Sequence, residues 1–170
     1  MAIPPTNAFV GILAIRFMKE KTKKLIIKPP HIALMLLLLS WMVDYFFPQF
    51  RFIYGTYRYI GILVFIFGLL ITFSGFYLFK KHKTPVIPGQ RPEFMVASGP
   101  YKITRNPMYL GVTIALLGVS VYVGNLLSLL APVIFLILMG LIYIPFEEEL
   151  MENIFGKKYI DYKHKVRRWL

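Results

Sequence analysis

The sequence lacks several residue types and patterns that would indicate soluble enzyme chemistry. None of its 170 residues is a cysteine, which excludes disulfides, thiolate nucleophiles and cysteine-ligated metals. The three histidines, His31, His82 and His164, are too scattered to indicate a metal site. No two glycines are separated by a single residue, so the dinucleotide-binding fingerprint is absent, and no P-loop is present either. We therefore expect no metal and no Rossmann-type nucleotide site.

Acidic residues are also scarce, with 8 Asp and Glu against 20 Lys and Arg, for a net charge of +12. Six basic residues fall in each of three clusters beside apolar runs, at 16–28, 80–105 and 157–168. Such clusters mark the cytoplasmic ends of membrane spans and attract anionic headgroups. Only Arg51 and Arg58 lie elsewhere, so we predict that both termini are cytoplasmic. Nucleic-acid binding is disfavoured because it calls for a basic stripe on a soluble module.

Long apolar runs are the strongest positive feature of the sequence. Hydrophobic residues make up 57% of the chain and are concentrated in blocks. A bilayer core of about 30 Å needs roughly 20 helical residues to cross it. The blocks predict an all-α integral membrane protein with four transmembrane helices and no Rossmann fold, at about 31–47, 58–79, 107–123 and 126–146.

The segments around these spans complete a single predicted membrane domain, 1–170. Its parts are an interfacial amphipathic N-terminal segment (1–30), the first two spans (31–79), a proline-rich cytoplasmic loop (80–106), a helical hairpin (107–146) and an amphipathic C-terminal cytoplasmic helix (147–170). Long irregular loops in small proteins are often functional. Gly61, Gly68 and Gly75 recur every seven residues and predict a packing face. We interpret Asp44 as a structural residue near the end of its span, although buried carboxylates in spans are by default functional suspects.

Two polar motifs are the candidates for chemistry. In residues 105–109, Asn106 and Pro107 predict a helix N-cap and first turn, whose free N–H groups suit a carboxylate or phosphate. The alternative is a well-capped span with a snorkelling arginine, Arg105. In residues 147–149, three glutamates suit a cationic ligand, or else stabilise a helix dipole or pair with lysines. Because residues 107–146 are predicted to fold back at Gly124-Asn125, both motifs should lie close together.

Four motifs in a fixed order then give a family resemblance. They are Ser98-Gly99-Pro100-Tyr101, Arg105-Asn106-Pro107-Met108-Tyr109-Leu110-Gly111, Glu147-Glu148, and Phe155-Gly156 with Tyr159 and Tyr162. In these motifs the chain, over about 72–168, resembles the membrane methyltransferases that include isoprenylcysteine carboxyl methyltransferase and phosphatidylethanolamine N-methyltransferase.

The resemblance implies S-adenosyl-L-methionine as the methyl donor, bound near the cytoplasmic interface. Carried over position by position, the cofactor site would comprise Glu93, Phe94, Met95, Val96, Tyr101, Asn106, Pro107, Tyr109 and Glu147. Glu148 and Tyr109 would be the candidate proton acceptors, and Arg105 would add positive charge beside them. Direct in-line transfer would depend mainly on alignment of the two partners.

Two positions depart from the family pattern. Asn106 stands where many members have histidine, so we assign it no acid–base role. Tyr143 stands where eukaryotic prenylcysteine enzymes have an arginine for the substrate carboxylate, which argues against a prenylcysteine acceptor.

The function predicted from the sequence is O- or N-methyl transfer to a lipid or other hydrophobic acceptor at the cytoplasmic face, in a membrane that the absence of cysteine and the short chain suggest is prokaryotic. Expected partners are membrane lipids and the acceptor. The alternative is a non-catalytic membrane scaffold or lipid-binding subunit, which would bind lipid regardless of cofactor.

Overall fold

The computed structural model describes residues 2–3, 27–82 and 94–170, which are mostly helical. The α-helices are α1 (Pro29–Phe46), α2 (Ile60–Lys81), α3 (Pro107–Val123), α4 (Leu130–Leu138), α5 (Ile144–Phe155) and α6 (Lys157–Lys165). Single 3-10 turns precede α2 and α4, at Gly55–Tyr59 and Leu126–Leu129, and two more lie at Pro48–Phe50 and Gly99–Lys102. A π-helical stretch, Met139–Tyr143, joins α4 to α5 without a break.

Three helical segments are long and apolar enough to cross a bilayer: Pro29–Phe46, Gly55–Lys81 and Leu126–Phe155. Helix α3 is apolar but has only 17 residues. The interpretation as an integral membrane protein is confirmed, whereas the count of four spans stays a prediction. The bounds of α3 match the predicted 107–123, because Pro107 is tolerated in the first turn and Gly124, with a φ of +77°, ends the helix.

The last predicted span and the C-terminal helix needed correction. We predicted a span ending near Phe146 and one helix over 147–170. In the structure the helical path continues through Phe155, Gly156 interrupts it with a φ of +55°, and α6 is separate. Pro145 does not stop the helical path, because it follows directly on the π-helical stretch, whose altered hydrogen-bond pattern accommodates the missing N–H.

A two-stranded antiparallel sheet was not predicted. β1 (Ala2–Ile3) pairs with β2 (Met95–Val96), with Ala2 opposite Val96. Strand β2 lies in the connection 80–106, which we expected to be irregular. The predicted interfacial helix in the N-terminal segment falls on residues outside the described ones.

The chain divides into two compact units, each built from separate segments. The first unit comprises Met1–Ile26, Phe73–Pro107 and Gly140–Leu170; the second comprises Ile27–Thr72 and Met108–Met139. Neither unit is a continuous stretch of sequence, so the predicted linear subdivision of the domain does not coincide with them.

The second unit is held together by direct contact between helix backbones. A Cβ atom on Gly61 would lie 2.4 Å from the carbonyl oxygen of Gly118, and one on Gly68 would lie 2.4 Å from the amide nitrogen of Ala115. Small residues allow this approach between membrane helices. The predicted packing role is confirmed for these two glycines.

Polar groups near the helix ends of the second unit form hydrogen bonds with one another. Asp44 accepts hydrogen bonds from Arg51, with Nε at 3.1 Å, and the buried Asn125 amide donates to the Phe47 carbonyl oxygen at 2.9 Å. Across the turn, the Ser120 hydroxyl donates to the Ser128 carbonyl oxygen at 2.7 Å, as the predicted fold-back requires. Asp44 is therefore a structural residue, held by protein partners in addition to any contact with headgroup water.

Candidate functional site

The predicted site residues of the first unit are built around an apolar core. It is formed mainly by α5 and α6 with strand β2, and its members are Met95, Phe146, Leu150, Ile154, Phe155 and Tyr159. Gly156 supplies the turn between the two helices because its backbone conformation is one that residues with a side chain rarely adopt. This turn brings α6 back against α5, and with it the tyrosines at 159 and 162.

Glu148 is the centre of a charged network. Its side chain is only 6% exposed, and its Oε1 accepts a hydrogen bond of 2.8 Å from Arg105. Its Oε2 accepts one of 2.7 Å from Arg168, and the Lys163 ammonium lies 3.8 Å away. A buried carboxylate is stable when cations and hydrogen bonds satisfy it in this way. This carboxylate is therefore already engaged by the protein.

Residues 166–170, here called the C-terminal strap, lie against the 104–106 segment. The Arg105 amide donates to the Arg167 carbonyl oxygen at 3.0 Å. Both the Thr104 hydroxyl and the Asn106 side-chain amide donate to the Arg168 carbonyl oxygen, each at 3.0 Å. The strap thus runs beside the predicted motif as a parallel bridge.

Both terminal nitrogens of Arg105 are also engaged in hydrogen bonds within the protein. One of its terminal nitrogens donates to the carbonyl oxygens of Lys163 and Val166, at 2.8 and 2.7 Å. The other terminal nitrogen pairs with Glu148. Arg105 thereby joins the network of Glu148 to the strap.

Two buried side-chain polar atoms of the described residues have no hydrogen-bond partner, and both belong to the predicted motifs. They are the hydroxyl oxygen of Tyr101 and Nε of Arg105. Tyr101 is 4% exposed. An unpaired buried polar atom is costly, so such atoms commonly mark places where a ligand or a water completes the structure.

Tyr101 is positioned by aromatic and polar neighbours in the first unit. Its ring centroid lies 5.5 Å from that of Phe79, and its backbone carbonyl accepts a 2.6 Å hydrogen bond from the Tyr162 hydroxyl. Burial, and secondarily the charge of Glu147, raise the pKa of the Tyr101 phenol. Burial likewise raises the pKa of Tyr162, so that both hydroxyls stay protonated at neutral pH.

The remaining predicted cofactor residues lie in several places. Met95 and Val96 are buried in strand β2, and their side chains belong to the core, not to an open site. Phe94 precedes them, and Glu93 lies outside the described residues. Pro107 is fully buried at the start of α3.

Glu147 and Tyr109 belong to different units. Glu147 lies near the start of α5, directly after the π-helical stretch, and close enough to Tyr101 for its charge to act there. Tyr109 lies in α3 within the second unit, and its neighbourhood with Glu147 remains a prediction. Tyr143, the position of the family departure, is buried in the π-helical stretch.

Sequence reasoning missed Arg168, Thr104 and Tyr162 as partners of the motif residues. Arg168 was counted only as part of a basic cluster, although an arginine has the geometry to hold a buried carboxylate. The Thr104 hydroxyl donates to a backbone carbonyl oxygen of the strap, and no sequence pattern indicates such a bond. Within the described residues, no group of three or more potential metal ligands occurs.

Comparison with known proteins places the chain among membrane methyltransferases. The phospholipid methyltransferase family model matches residues 56–158, more than half of the chain. The Arabidopsis thaliana protein-S-isoprenylcysteine O-methyltransferase B is 25% identical over 166 residues, covering 95% of this chain and 84% of that protein. An uncharacterized Haemophilus influenzae protein is 41% identical over 63 residues, covering 37% of this chain and 100% of that protein.

The fold is also similar to a solved structure. The eukaryotic intramembrane Ras methyltransferase ICMT, isoprenylcysteine carboxyl methyltransferase, superposes with a TM-score of 0.62 at 25% identity. The match covers 91% of this chain and 58% of that one, so the chain spans somewhat more than half the length of the solved relative. On the family match, supported by the Arabidopsis thaliana relative and the solved structure, the chain belongs to the phospholipid methyltransferase family, within the group of integral membrane methyltransferases that includes the isoprenylcysteine enzymes.

Proposed function

We propose that the chain is an S-adenosyl-L-methionine-dependent methyltransferase acting on a lipid or other hydrophobic acceptor at the cytoplasmic membrane face. Besides family membership, one observation carries the proposal. The two buried polar atoms that lack partners among the described residues, on Tyr101 and Arg105, both lie in the motifs that carry the resemblance.

The residues of the first unit fit the proposed cofactor chemically. The cofactor bears a sulfonium, an ammonium, a carboxylate and hydroxyl groups. Glu147, whose charge acts on Tyr101, offers negative charge for the cations. The Tyr101 hydroxyl and Arg105 Nε are buried hydrogen-bonding atoms without a partner among the described residues. Tyrosine rings also attract cations.

The residues that would hold the cofactor are those the resemblance implies: Glu93, Phe94, Met95, Val96, Tyr101, Asn106, Pro107, Tyr109 and Glu147. When bound, S-adenosyl-L-methionine supplies an electrophilic methyl group. Met95 and Val96 would contribute through backbone atoms, because their side chains are in the core. The Asn106 amide, which donates to the Arg168 carbonyl oxygen, would act by holding the strap in place.

Among the candidate catalytic residues, the geometry favours positioning roles for Glu148 and Arg105. A carboxylate held by Arg105 and Arg168 is a weak proton acceptor, because protonation would leave two cations without their counter-charge. An acceptor that reaches the site as an anion needs no proton acceptor, so this arrangement suits O-methyl transfer. For an amine acceptor, Tyr109 remains the candidate from the sequence.

The proposal includes four spans with both termini in the cytoplasm of a prokaryotic cell. At 1.5 Å per residue, the 17 residues of α3 reach about 26 Å, slightly less than a typical hydrocarbon core. Modest bilayer thinning or snorkelling accommodates a mismatch of this size. The cluster of basic residues near α6 and the strap supports the cytoplasmic placement.

Calorimetric titration of the detergent-solubilised protein with S-adenosyl-L-methionine tests the cofactor. We expect Tyr101→Phe to weaken binding up to about tenfold, and Glu147→Gln to weaken it more because it removes a charged partner. Glu149→Gln, the same change at an exposed neighbour, is the matched control and should bind like wild type. No binding by wild type at millimolar cofactor would overturn the proposal.

The acceptor class is tested on membranes containing the protein. Incubation with methyl-labelled cofactor, followed by separation of the labelled lipids, should give a labelled hydrophobic product. Lipid binding that ignores added cofactor, with no labelled product, would favour the scaffold alternative.

A further inference from the structure

An apolar groove in the second unit belongs to none of the motifs discussed so far. It lies between α1, α2 and α3 and has a volume of about 280 Å³. Its walls include Leu37, Trp41, Phe65, Val119 and Tyr122. Three helices therefore contribute, and all the wall side chains are aliphatic or aromatic.

The floor of the groove is helix backbone. Gly61 and Gly118 both line it, and they lie at the point where α2 and α3 touch without intervening side chains. Because neither glycine has a side chain, the space between this contact and the α1 side chains stays unfilled. The groove is thus a consequence of the same glycines that pack the helices.

Arg58 is held against Tyr122, one of the residues that line the groove. Its Nε donates to the Tyr122 carbonyl oxygen at 2.9 Å, and its guanidinium carbon lies 4.6 Å from the centroid of the Tyr122 ring. Its two terminal nitrogens make no hydrogen bond, and the guanidinium forms no salt bridge, with any residue that the structure describes. The carboxylate of Asp44 forms its salt bridge with Arg51, and Arg58 acts on it through charge alone.

We propose that this groove binds an anionic phospholipid, with one acyl chain between the helices and the phosphate on Arg58. The guanidinium offers two free donors in the fork geometry that suits phosphate oxygens. Trp41 and Tyr122, whose ring centroids are 6.0 Å apart, have the amphipathic character of residues at headgroup level. Positive charge beside Tyr122 and the apolar walls of the groove match the two parts of a phospholipid.

The size of the groove suits part of one chain. Taking a methylene as close to the ~30 Å³ share of a water molecule, the volume holds roughly nine carbons. A whole lipid does not fit, so the second chain would remain among bulk lipid. The site is independent of the proposed function, since it contains no motif residue.

Native mass spectrometry of the full chain in detergent, with added dioleoyl phosphatidylglycerol or dioleoyl phosphatidylcholine, tests the proposal. The two lipids share chains and phosphate but differ in net charge. We expect wild type to retain one phosphatidylglycerol molecule in clear preference to phosphatidylcholine. Equal retention of both lipids would overturn the proposal.

Variants separate the headgroup contact from the chain contact. Arg58→Gln should weaken phosphatidylglycerol binding about tenfold, since it removes charge-assisted hydrogen bonds. Arg167→Gln removes the same charge from an exposed position in the first unit and should leave binding unchanged. Val119→Phe, which fills the groove but leaves Arg58 intact, should weaken both lipids. Unchanged binding in Arg58→Gln and Val119→Phe would contradict the site.

A measurement on wild type alone tests the same contact without relying on variants that could fail to fold. Raising ammonium acetate from about 50 to about 500 mM should release phosphatidylglycerol, because screening weakens an exposed charge contact. Retention that does not change with salt would show that the phosphate is not held by Arg58.

Discussion

The two compact units hold themselves together by different physical means. The second unit relies on glycines that let helix backbones touch, with a few polar groups at its ends. The first unit relies on a buried carboxylate, two arginines and backbone hydrogen bonds to the strap. Backbone contact in the second unit is sensitive to added volume, whereas the charged network of the first unit is sensitive to lost charge. We therefore expect the two units of one chain to lose stability under different kinds of substitution.

The largest expected effect is in the first unit. Glu148→Gln keeps the shape of the side chain but leaves the cations of Arg105 and Arg168 without their partner. Breaking a buried ion pair from one side typically costs about 3–5 kcal/mol, and the partial exposure of Arg168 places this case near the lower end. Denaturant-induced unfolding in detergent measures the loss. Glu149→Gln should change the free energy of unfolding by less than about 0.5 kcal/mol.

A contrasting pair of alanine substitutions distinguishes the units by volume. Gly68→Ala places a methyl group against the Ala115 backbone and should lower the free energy of unfolding by about 1–3 kcal/mol. Gly140→Ala in the first unit meets only the Trp169 ring, at 3.7 Å, and should be neutral or stabilising by up to about 1 kcal/mol. The same unfolding assay serves both variants. Equal losses would show that helix contact does not set the second unit apart.

The smallest expected effect is at a single hydrogen bond of the first unit. Tyr162→Phe removes the donor to the Tyr101 carbonyl oxygen and should cost about 1 kcal/mol. Tyr159→Phe makes the same change at a largely buried tyrosine whose hydroxyl has no hydrogen bond to a described residue, and should cost less.

The same tyrosine gives a pH test. Burial raises the pKa of Tyr162 in the folded protein above that of an unfolded tyrosine, about 10. Its contribution is therefore complete below pH 10 and is lost as the pH rises further, because the unfolded state releases the proton first. The decline in stability above about pH 10 should be less steep in Tyr162→Phe than in wild type. An equal decline would show that this phenol does not titrate differently on unfolding.

The sequence predicted the apolar architecture well because bilayer thickness and proline chemistry act locally. Pro107 with Gly124 defined α3 at both ends, and the hydropathy of the other spans was unambiguous. The end of the last span was missed because Pro145 reads as a stop signal, whereas in the structure the helical path continues through it after a π-helical stretch. Whether a proline ends a helix depends on the hydrogen-bond pattern of the residues before it, and no single residue of the sequence shows that pattern.

The assignment of site residues stays a prediction, but the structure shows connections that the sequence did not. Tyr101, Arg105 and Glu148, which the motifs single out, all lie in the first unit. The partners of Thr104 and Arg105 lie about sixty positions away and accept through backbone carbonyls, so no side-chain pattern in the sequence indicates them. For the same reason, the sequence could not show that Glu148 is already neutralised by arginines.

The discontinuous make-up of the units bears on the order of biogenesis. Synthesis proceeds from the N-terminus, so every segment of the second unit has been translated once Met139 is made. The counter-charges of Glu148 include Arg168, which is translated twenty residues after it. The first unit can therefore close only after the last residues of the chain are available, because Arg168 and the carbonyl groups of the strap are among its contacts.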